Sequence, residues 1–226
     1  MSLHGLVYAF VSAFITLFPV INPIGSGLIV NGNLKDLDDE QRKFAVKRIF
    51  VNCLLVGLGS LVAGHLILLL FGLAVPAIQV AGGIVICKTG WDWLSDPASP
   101  VSADIPQDQA KKIDMKEFER KLFYPISFPI CLGPGSISVI FTLMATANVK
   151  GNLLETGVNY AVIGLAIVAL LLILYGILSQ GKRITKRLGE SGNMILNKLI
   201  AFIILAIGIQ ITFSGIAKIF GLTASL

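Results

Sequence analysis

Six apolar runs dominate this sequence, and each is long enough to cross a lipid bilayer as a helix. A helix needs about 20 residues to span about 30 Å of hydrocarbon. The runs are continuous, whereas a transmembrane barrel would show segments of about ten residues with alternating polarity. The sequence therefore predicts an all-α polytopic membrane protein. The predicted spans are Leu3–Val30, Ile49–Phe71, Leu73–Leu94, Leu122–Ala147, Val158–Leu178 and Met194–Ile216.

The composition agrees with lipid as the main solvent. Of the 226 residues, 55% are hydrophobic and 14% are charged, which is about half the charged share of a soluble domain. The opening sequence MSLHGLVYAF lacks the basic flank and cleavage site of a signal peptide, so we expect the first run to be retained as a span. Cys53, Cys87 and Cys131 all fall within predicted spans. This placement predicts packing thiols and no disulfide framework.

The positive charges are sorted by connection. A net charge of +5 would suit a nucleic-acid partner, but 15 of the 18 Lys and Arg residues lie on alternate connections between spans. By the positive-inside rule, those three connections are cytoplasmic and both termini lie outside. We therefore expect the lipid bilayer, and no nucleic acid, as partner. The residues are Lys35, Arg42, Lys43, Lys47 and Arg48, then Lys111, Lys112, Lys116, Arg120 and Lys121, then Lys182, Arg183, Lys186, Arg187 and Lys198.

The first and fourth spans are each interrupted by a cluster of Pro and Gly. The first interruption is FPVINPIGS, from Phe18 to Ser26, and the second is FPICLGPGS, from Phe128 to Ser136. Three spans before the second interruption invert the second half across the bilayer. We predict two inverted three-span repeats, residues 1–94 and 122–226, joined by a cytoplasmic linker at residues 95–121. The linker is expected to end in a short surface helix that runs into the fourth span.

A break in a membrane helix has a physical cost. An unpaired backbone N–H or C=O in lipid costs several kcal/mol, so broken helix survives only inside protein or around a water-filled cavity. Both breaks are expected near the bilayer midplane, with half-helices restarting at Ser26 and Ser136 as N-caps. Facing helix N-termini would attract a carboxylate or other anion. Paired broken spans are typical of the binding sites of secondary transporters. The predicted site consists of Asn22, Pro23, Gly25, Ser26, Gly133, Pro134, Gly135 and Ser136.

The breaks have a simpler alternative, because Pro and Gly are tolerated in membrane helices as packing kinks. Other polar residues are also open to two interpretations. His65 could carry protons or simply hydrogen-bond to a neighbouring helix. Lys88 and Asp92 can pair four residues apart on one helix face, with or without a gating role. Gln210, like Asn52 and Gln79, is expected to bond between helices, although Gln210 could instead face a polar pathway.

Four stretches of the sequence together resemble the MarC family of six-span inner-membrane proteins. They are FPVINPIG, GHLILLLFGLAVPAIQVAGGIVI, FPICLGPGSISVIF and LAIGIQITFSGI, and the resemblance covers nearly the whole chain. The family includes proteins described as small neutral amino acid transporters, so the resemblance implies a transport protein of the bacterial plasma membrane. The sequence departs from the family pattern at CKTGWDWL, after AGGIVI, and at NKLIAF.

These observations favour a secondary transporter for a small zwitterionic solute such as a neutral amino acid. No Asp or Glu falls near the middle of a predicted span, which disfavours proton coupling through a carboxylate. Sodium could bind at unwound carbonyls with Ser or Asn oxygens, while no cofactor or resident metal is expected. An aquaporin-like channel is the alternative. An enzyme is not expected, because no set of nucleophile, base and metal ligands is present, and a homo-oligomer stays open.

Overall fold

The computed structural model describes residues 3–35, 37–95, 115–149 and 151–222, and within these ranges it contains helices and no strand. One segment, Leu122–Cys131, is irregular and is called the kinked segment below; Tyr124 and Phe128 within it have extended backbone angles. The helices are α1 (Leu3–Ile21), α2 (Pro23–Asn33), α3 (Asp39–Phe71), α4 (Val75–Ser95), α5 (Met115–Lys121), α6 (Pro134–Ala147), α7 (Leu153–Ser179) and α8 (Gly181–Ile219).

Local sequence sets several of the helix ends. The Asp38 carboxylate accepts a hydrogen bond from the backbone N–H of Gln41 at 2.7 Å, and the Gln41 side chain accepts one from the N–H of Asp38. This reciprocal pair starts α3 in the manner of a capping box. The Asn152 side chain accepts from the N–H of Glu155 at 3.0 Å and starts α7. Both caps therefore satisfy N–H groups that the first turn of a helix leaves unpaired.

Within the described ranges, four stretches of helix are long and apolar enough to cross a membrane: Leu3–Asn33, Asp39–Gly64, Leu153–Ser179 and Lys198–Ile219. A fifth is formed if Met115–Cys131 and Pro134–Ala147, which meet at a bend of 57°, count as one broken span. Helix α4, the predicted third span, does not qualify by this measure. Gln79, Lys88 and Asp92 lower its hydropathy. The all-α membrane fold is thus confirmed, while the count of six spans stays a prediction.

The helices differ from the predicted spans mainly at their ends. Helix α3 begins ten residues before the predicted start at Ile49, and the basic stretch before Met194 is part of α8. The predicted surface helix before the fourth span is present as α5. The rest of the predicted linker, residues 96–114, lies outside the described residues.

The buried core lies in two parts. The larger part joins α1, α2, α3, the kinked segment, α6 and α7, and residues such as Leu17, Ile49 and Ile167 are fully buried there. Helices α4 and α8 contribute no buried residue to that core within the described ranges. They pack lengthwise on one another, and a second cluster joins them to α2 through Leu28, Ile86, Ile200 and Ile204. The molecule is therefore a helical bundle with an attached two-helix pair.

Candidate functional site: two crossed helix breaks

The first break is a single residue wide. Asn22, between α1 and α2, has φ 45° and ψ 62°, a left-handed conformation that Asn tolerates better than most residues. Its side-chain oxygen accepts a hydrogen bond from the N–H of Gly25 at 3.1 Å. Pro23 then occupies the first position of α2, where its missing N–H removes no bond. The sequence thus ends α1 and restarts α2 without a loop.

The second break is longer and bent. It comprises the kinked segment with Leu132 and Gly133, and Gly133 caps α6 in an extended conformation without a side-chain hydrogen bond. Pro134 takes the first position of α6, as Pro23 does in α2. The half-helices therefore begin at Pro23 and Pro134, and the prediction of Ser26 and Ser136 as N-caps was wrong. Proline at the first helical position moved the start ahead of each serine.

Serine hydroxyls join the two breaks to each other. The Ser26 hydroxyl lies 3.1 Å from the carbonyl oxygen of Ile130 in the kinked segment. The Ser136 hydroxyl donates in return to the carbonyl of Val20 in α1 at 3.3 Å. Ser26 and Ser136 are 2% and 3% exposed. The first turn of each half-helix is thus bonded to a carbonyl in or just before the opposite break.

These bonds occupy carbonyl groups that the breaks set free. Pro23 has no N–H, and the N–H of Gly25 bonds to Asn22 instead of to Ile21. The Ile21 carbonyl instead lies 3.1 Å from the Ser26 hydroxyl. A carbonyl left unpaired in a membrane interior would cost several kcal/mol. Direct contact between the breaks therefore satisfies these carbonyls inside the protein, which is one of the two settings in which a broken membrane helix survives.

One polar group at the first break has no partner. The side-chain nitrogen of Asn22 is buried and makes no hydrogen bond within the described part of the chain. Because the side-chain oxygen already accepts from Gly25, the nitrogen presents two unpaired N–H donors. A buried unpaired donor of this kind costs about 1–3 kcal/mol. It would suit an acceptor oxygen on a small ligand.

Two isoleucines of the α4–α8 pair lie against the glycines of the breaks. A Cβ atom built on Gly25 would lie 2.6 Å from Cγ2 of Ile200, besides overlapping the Asn22 side chain. A Cβ atom on Gly135 would overlap Cγ1 of Ile86 and lie 2.5 Å from its Cδ1. The glycine that precedes each serine therefore faces one isoleucine of the pair. Sequence reasoning missed both isoleucines, since an Ile in an apolar span carries no signal of its own.

The kinked segment is held from α3. The Asn52 amide donates to the Ser127 hydroxyl at 3.3 Å, and that hydroxyl donates to the carbonyl of Leu122 at 2.7 Å. The predicted interhelical bond of Asn52 is therefore confirmed. The side-chain oxygen of Gln79 is buried on α4 and has no hydrogen-bond partner among the described residues. Gln210 is exposed on α8.

Two lysines, Lys88 of α4 and Lys198 of α8, make polar contacts near the C-terminal end of α4. Lys88 and Asp92 form the predicted ion pair at 2.6 Å, with side chains 74% and 54% exposed. The Lys198 ammonium donates to the carbonyls of Trp93 and Leu94 at 3.1 and 2.8 Å, and so caps the last turn of α4. A gating role for the Lys88–Asp92 pair stays a prediction. So does a proton-carrying role for His65, because its side chain lies outside the described part of the structure.

A buried arginine ties α2 and α3 to α7. The Arg42 guanidinium donates to the side-chain oxygen of Asn31 and to the carbonyls of Leu34 and Leu178, at 3.1 and 3.0 Å for the carbonyls. The Asn31 amide donates to the carbonyl of Ile177 at 3.2 Å. Sequence reasoning placed Arg42 among the cytoplasmic loop charges, but only 7% of it is exposed. Its hydrogen bonds connect α3 to the C-terminal ends of α2 and α7.

The fold and these breaks define a multi-pass helical membrane protein. A model of the MarC family of integral membrane proteins matches residues 7–220. The chain belongs to this family. It is 30% identical to membrane protein MJ0972 of Methanocaldococcus jannaschii, over 96% of this chain and 89% of the relative.

Other relatives are more distant. Membrane protein YvbG of Bacillus subtilis is 27% identical, over 95% of this chain and 97% of its own length. The inner membrane protein MarC of Escherichia coli is 22% identical, over 91% and 92%. No solved structure matches the chain significantly. Within the described ranges, no group of three or more His, Cys, Asp or Glu side chains could hold a metal ion.

Proposed function

We propose that the chain is a secondary transporter that carries a small neutral amino acid or similar zwitterion across the membrane. The observation that supports this most directly is the reciprocal contact between the two breaks, from Ser26 to Ile130 and from Ser136 to Val20. Packing kinks alone do not require two breaks to meet. Two breaks that meet inside a bundle bring free backbone groups together, as the binding sites of carriers do.

The polar groups where the two breaks meet suit a zwitterion. The solute carboxylate would accept from the unpaired nitrogen of Asn22 and from the N-termini of α2 and α6. Its ammonium group would donate to the carbonyls of Val20, Ile21 and Ile130, which serine hydroxyls now occupy. The predicted site residues Pro23, Gly25, Gly133, Pro134 and Gly135 would set the backbone around the solute. A carrier of this kind needs no cofactor and no catalytic residue.

We further propose that the transport movement follows two inverted repeats. In support, α1 and α2 pack on α7 as the kinked segment and α6 pack on α3. Likewise α2 packs on α8 as α6 packs on α4. Exchanging residues 1–94 for residues 122–226 would preserve this pattern of contacts. Rocking of one half against the other would then part the crossed breaks and expose the site.

The family and the distribution of basic residues support a proposal for the membrane and for the orientation of the chain in it. We propose a cytoplasmic membrane, with the basic connections inside and both termini outside. A coupling ion such as sodium and assembly with further copies of the chain are left for experiment.

The test is uptake by proteoliposomes that contain the purified protein. We expect saturable uptake of labelled glycine or alanine, and counterflow when the vesicles are preloaded with unlabelled solute. Ligands found by thermal shift would identify candidates beforehand, because a solute that binds the folded state raises its apparent stability. Rapid flux of water or glycerol that never saturates would contradict a carrier and favour a channel. No uptake of any amino acid, with correctly folded protein, would leave the assignment without support.

A further inference from the structure

We infer that Ile86 and Ile200 determine which solutes reach the crossed breaks, by limiting the size of the side chain that the site accepts. This inference rests on the proposed function and concerns the same site. The two residues are 7% and 8% exposed, and both belong to the small cluster with Leu28 and Ile204. Their side chains fill the space directly beside Gly135 and Gly25.

The two contacts are equivalent in the two halves. Gly25 precedes Ser26 as Gly135 precedes Ser136, and each serine bonds to a carbonyl in or just before the opposite break. The isoleucine facing Gly25 belongs to α8, and the isoleucine facing Gly135 belongs to α4. The α4–α8 pair thus presents one branched side chain to each half-helix start. A solute bound at the crossing would meet both.

The backbones of α4 and α8 approach each other more closely than they approach Gly25 and Gly135. A Cβ atom on Gly83 would lie 2.7 Å from the backbone nitrogen of Thr212, and one on Gly90 would lie 2.6 Å from that of Leu205. One on Gly215 would lie 2.9 Å from the Pro76 carbonyl. The two backbones therefore touch along most of the pair. By contrast, the atoms of the pair nearest to Cβ positions on Gly25 and Gly135 belong to the side chains of Ile200 and Ile86, and the nearest α4 backbone atom, the Gly82 carbonyl oxygen, is 3.6 Å from the Gly135 position. A side chain can change rotamer without distorting a backbone.

The size limit follows from the volume of these side chains. A Cβ on either glycine already overlaps an isoleucine atom, so little room exists beside the breaks. Hydrophobic pockets discriminate by about 10- to 200-fold for each methylene group. Shortening either isoleucine should therefore admit solutes that carry larger side chains.

Ile177 provides a matched control. A Cβ atom on Gly27 would lie 2.6 Å from Cγ2 of Ile177, so this residue also packs against a glycine of α2. It lies on α7 and not on the α4–α8 pair. Uptake of labelled alanine and leucine is compared in proteoliposomes for Ile86→Ala, Ile200→Ala and Ile177→Ala. We expect the leucine-to-alanine ratio to rise about tenfold or more in the first two variants and to stay within about twofold in the third. An equal shift in all three, or none in Ile86→Ala and Ile200→Ala, would overturn the inference.

A second measurement does not depend on uptake. Ser136→Cys is introduced into a chain in which Cys53, Cys87 and Cys131 are replaced by Ala, and its labelling by a small water-soluble methanethiosulfonate is timed in membranes. Adding Ile86→Ala should raise the labelling rate about tenfold, while Ile177→Ala should leave it unchanged. Equal rates in both would refute the occluding role. If labelling responds but the unmodified protein carries no amino acid, the proposed function fails and the occluding role stands. If the unmodified protein takes up amino acids but neither the leucine-to-alanine ratio nor the labelling rate changes in the Ile86→Ala variant, the proposed function stands and the occluding role fails.

Discussion

The two breaks share a sequence pattern but not a geometry. The first turns on one residue, Asn22, and Leu3–Asn33 still forms one continuous span. The second extends from Leu122 to Gly133, with non-helical backbone angles at Tyr124 and Phe128, and bends its span by 57°. The second motif has one more residue between its two prolines and a further proline, Pro125, ahead of them. Both nevertheless place Pro at the start of a half-helix and bring a serine to the opposite break. Contact between the breaks therefore depends on the Gly–Ser pair that ends each motif, Gly25–Ser26 and Gly135–Ser136, and tolerates differences before it.

The largest expected effect comes from filling the glycine beside each isoleucine. Gly25→Leu and Gly135→Leu should each reduce uptake at least tenfold while leaving membrane insertion intact, since both positions already contact an Ile side chain. Gly32→Leu is the control, because a Cβ atom on Gly32 meets nothing within 4 Å on the same helix α2. Normal uptake by both site variants would contradict the placement of the site. Loss in only one would show that the halves contribute unequally.

The two residues that cap the half-helices, Asn22 and Gly133, should differ in how well they tolerate substitution. Gly133→Ala should lower the free energy of unfolding by about 1–3 kcal/mol, because its Cβ atom would lie 2.6 Å from the Pro129 carbonyl. Asn22→Gly keeps the left-handed conformation, loses a cap that is worth a few tenths of a kcal/mol over Gly and removes the unpaired side-chain nitrogen, so it should not lower the free energy of unfolding by more than those few tenths. Thermal unfolding in detergent measures both. Equal destabilisation would mean that the Asn22 side chain contributes more than a cap. Asn22→Ala, which loses both cap and conformation, sets the upper reference.

The serines should differ less. Ser26→Ala removes a hydroxyl that lies within 3.1 Å of two carbonyls, whereas Ser136→Ala removes one bond of 3.3 Å. We expect a loss of about 1 kcal/mol for Ser26→Ala and less for Ser136→Ala. Cysteine at either position retains volume and serves as the packing control. A larger loss of unfolding free energy for Ser136→Ala than for Ser26→Ala would contradict this expectation.

The smallest effect is expected at Asn52, which supports only the second break. Asn52→Ala should lower the unfolding free energy by less than about 1 kcal/mol, because its bond to the Ser127 hydroxyl is 3.3 Å long. Ser127 keeps its bond to Leu122 in this variant. The same melting experiment suffices. A loss as large as that of Gly133→Ala would show that the kinked segment depends on α3.

The sequence was informative where lipid leaves few choices. Long apolar runs predicted the helices, and clustered Pro and Gly located both breaks, because hydrocarbon offers a broken backbone no other partner. The sequence could not show that Ser26 would bond to Ile130, since a backbone carbonyl has no residue signature. Nor could it show that Arg42 would be buried, because basic residues near a span end are usually solvated. Nor did the sequence of α4 indicate that this helix packs lengthwise on α8.

The Ser26 hydroxyl has one proton and two carbonyl oxygens at the same distance, Ile21 in its own half and Ile130 in the other. If the halves part as proposed, this proton can remain with Ile21, so separation leaves no donor unpaired there. The Ser136 hydroxyl has the Val20 carbonyl as its one acceptor within the described residues. Separation would leave it in need of a new acceptor, which a solute carboxylate or a water molecule could provide. If the protein is the proposed carrier, its empty form would then resist opening at one break more than at the other, and a solute that supplies the missing oxygen would remove that resistance.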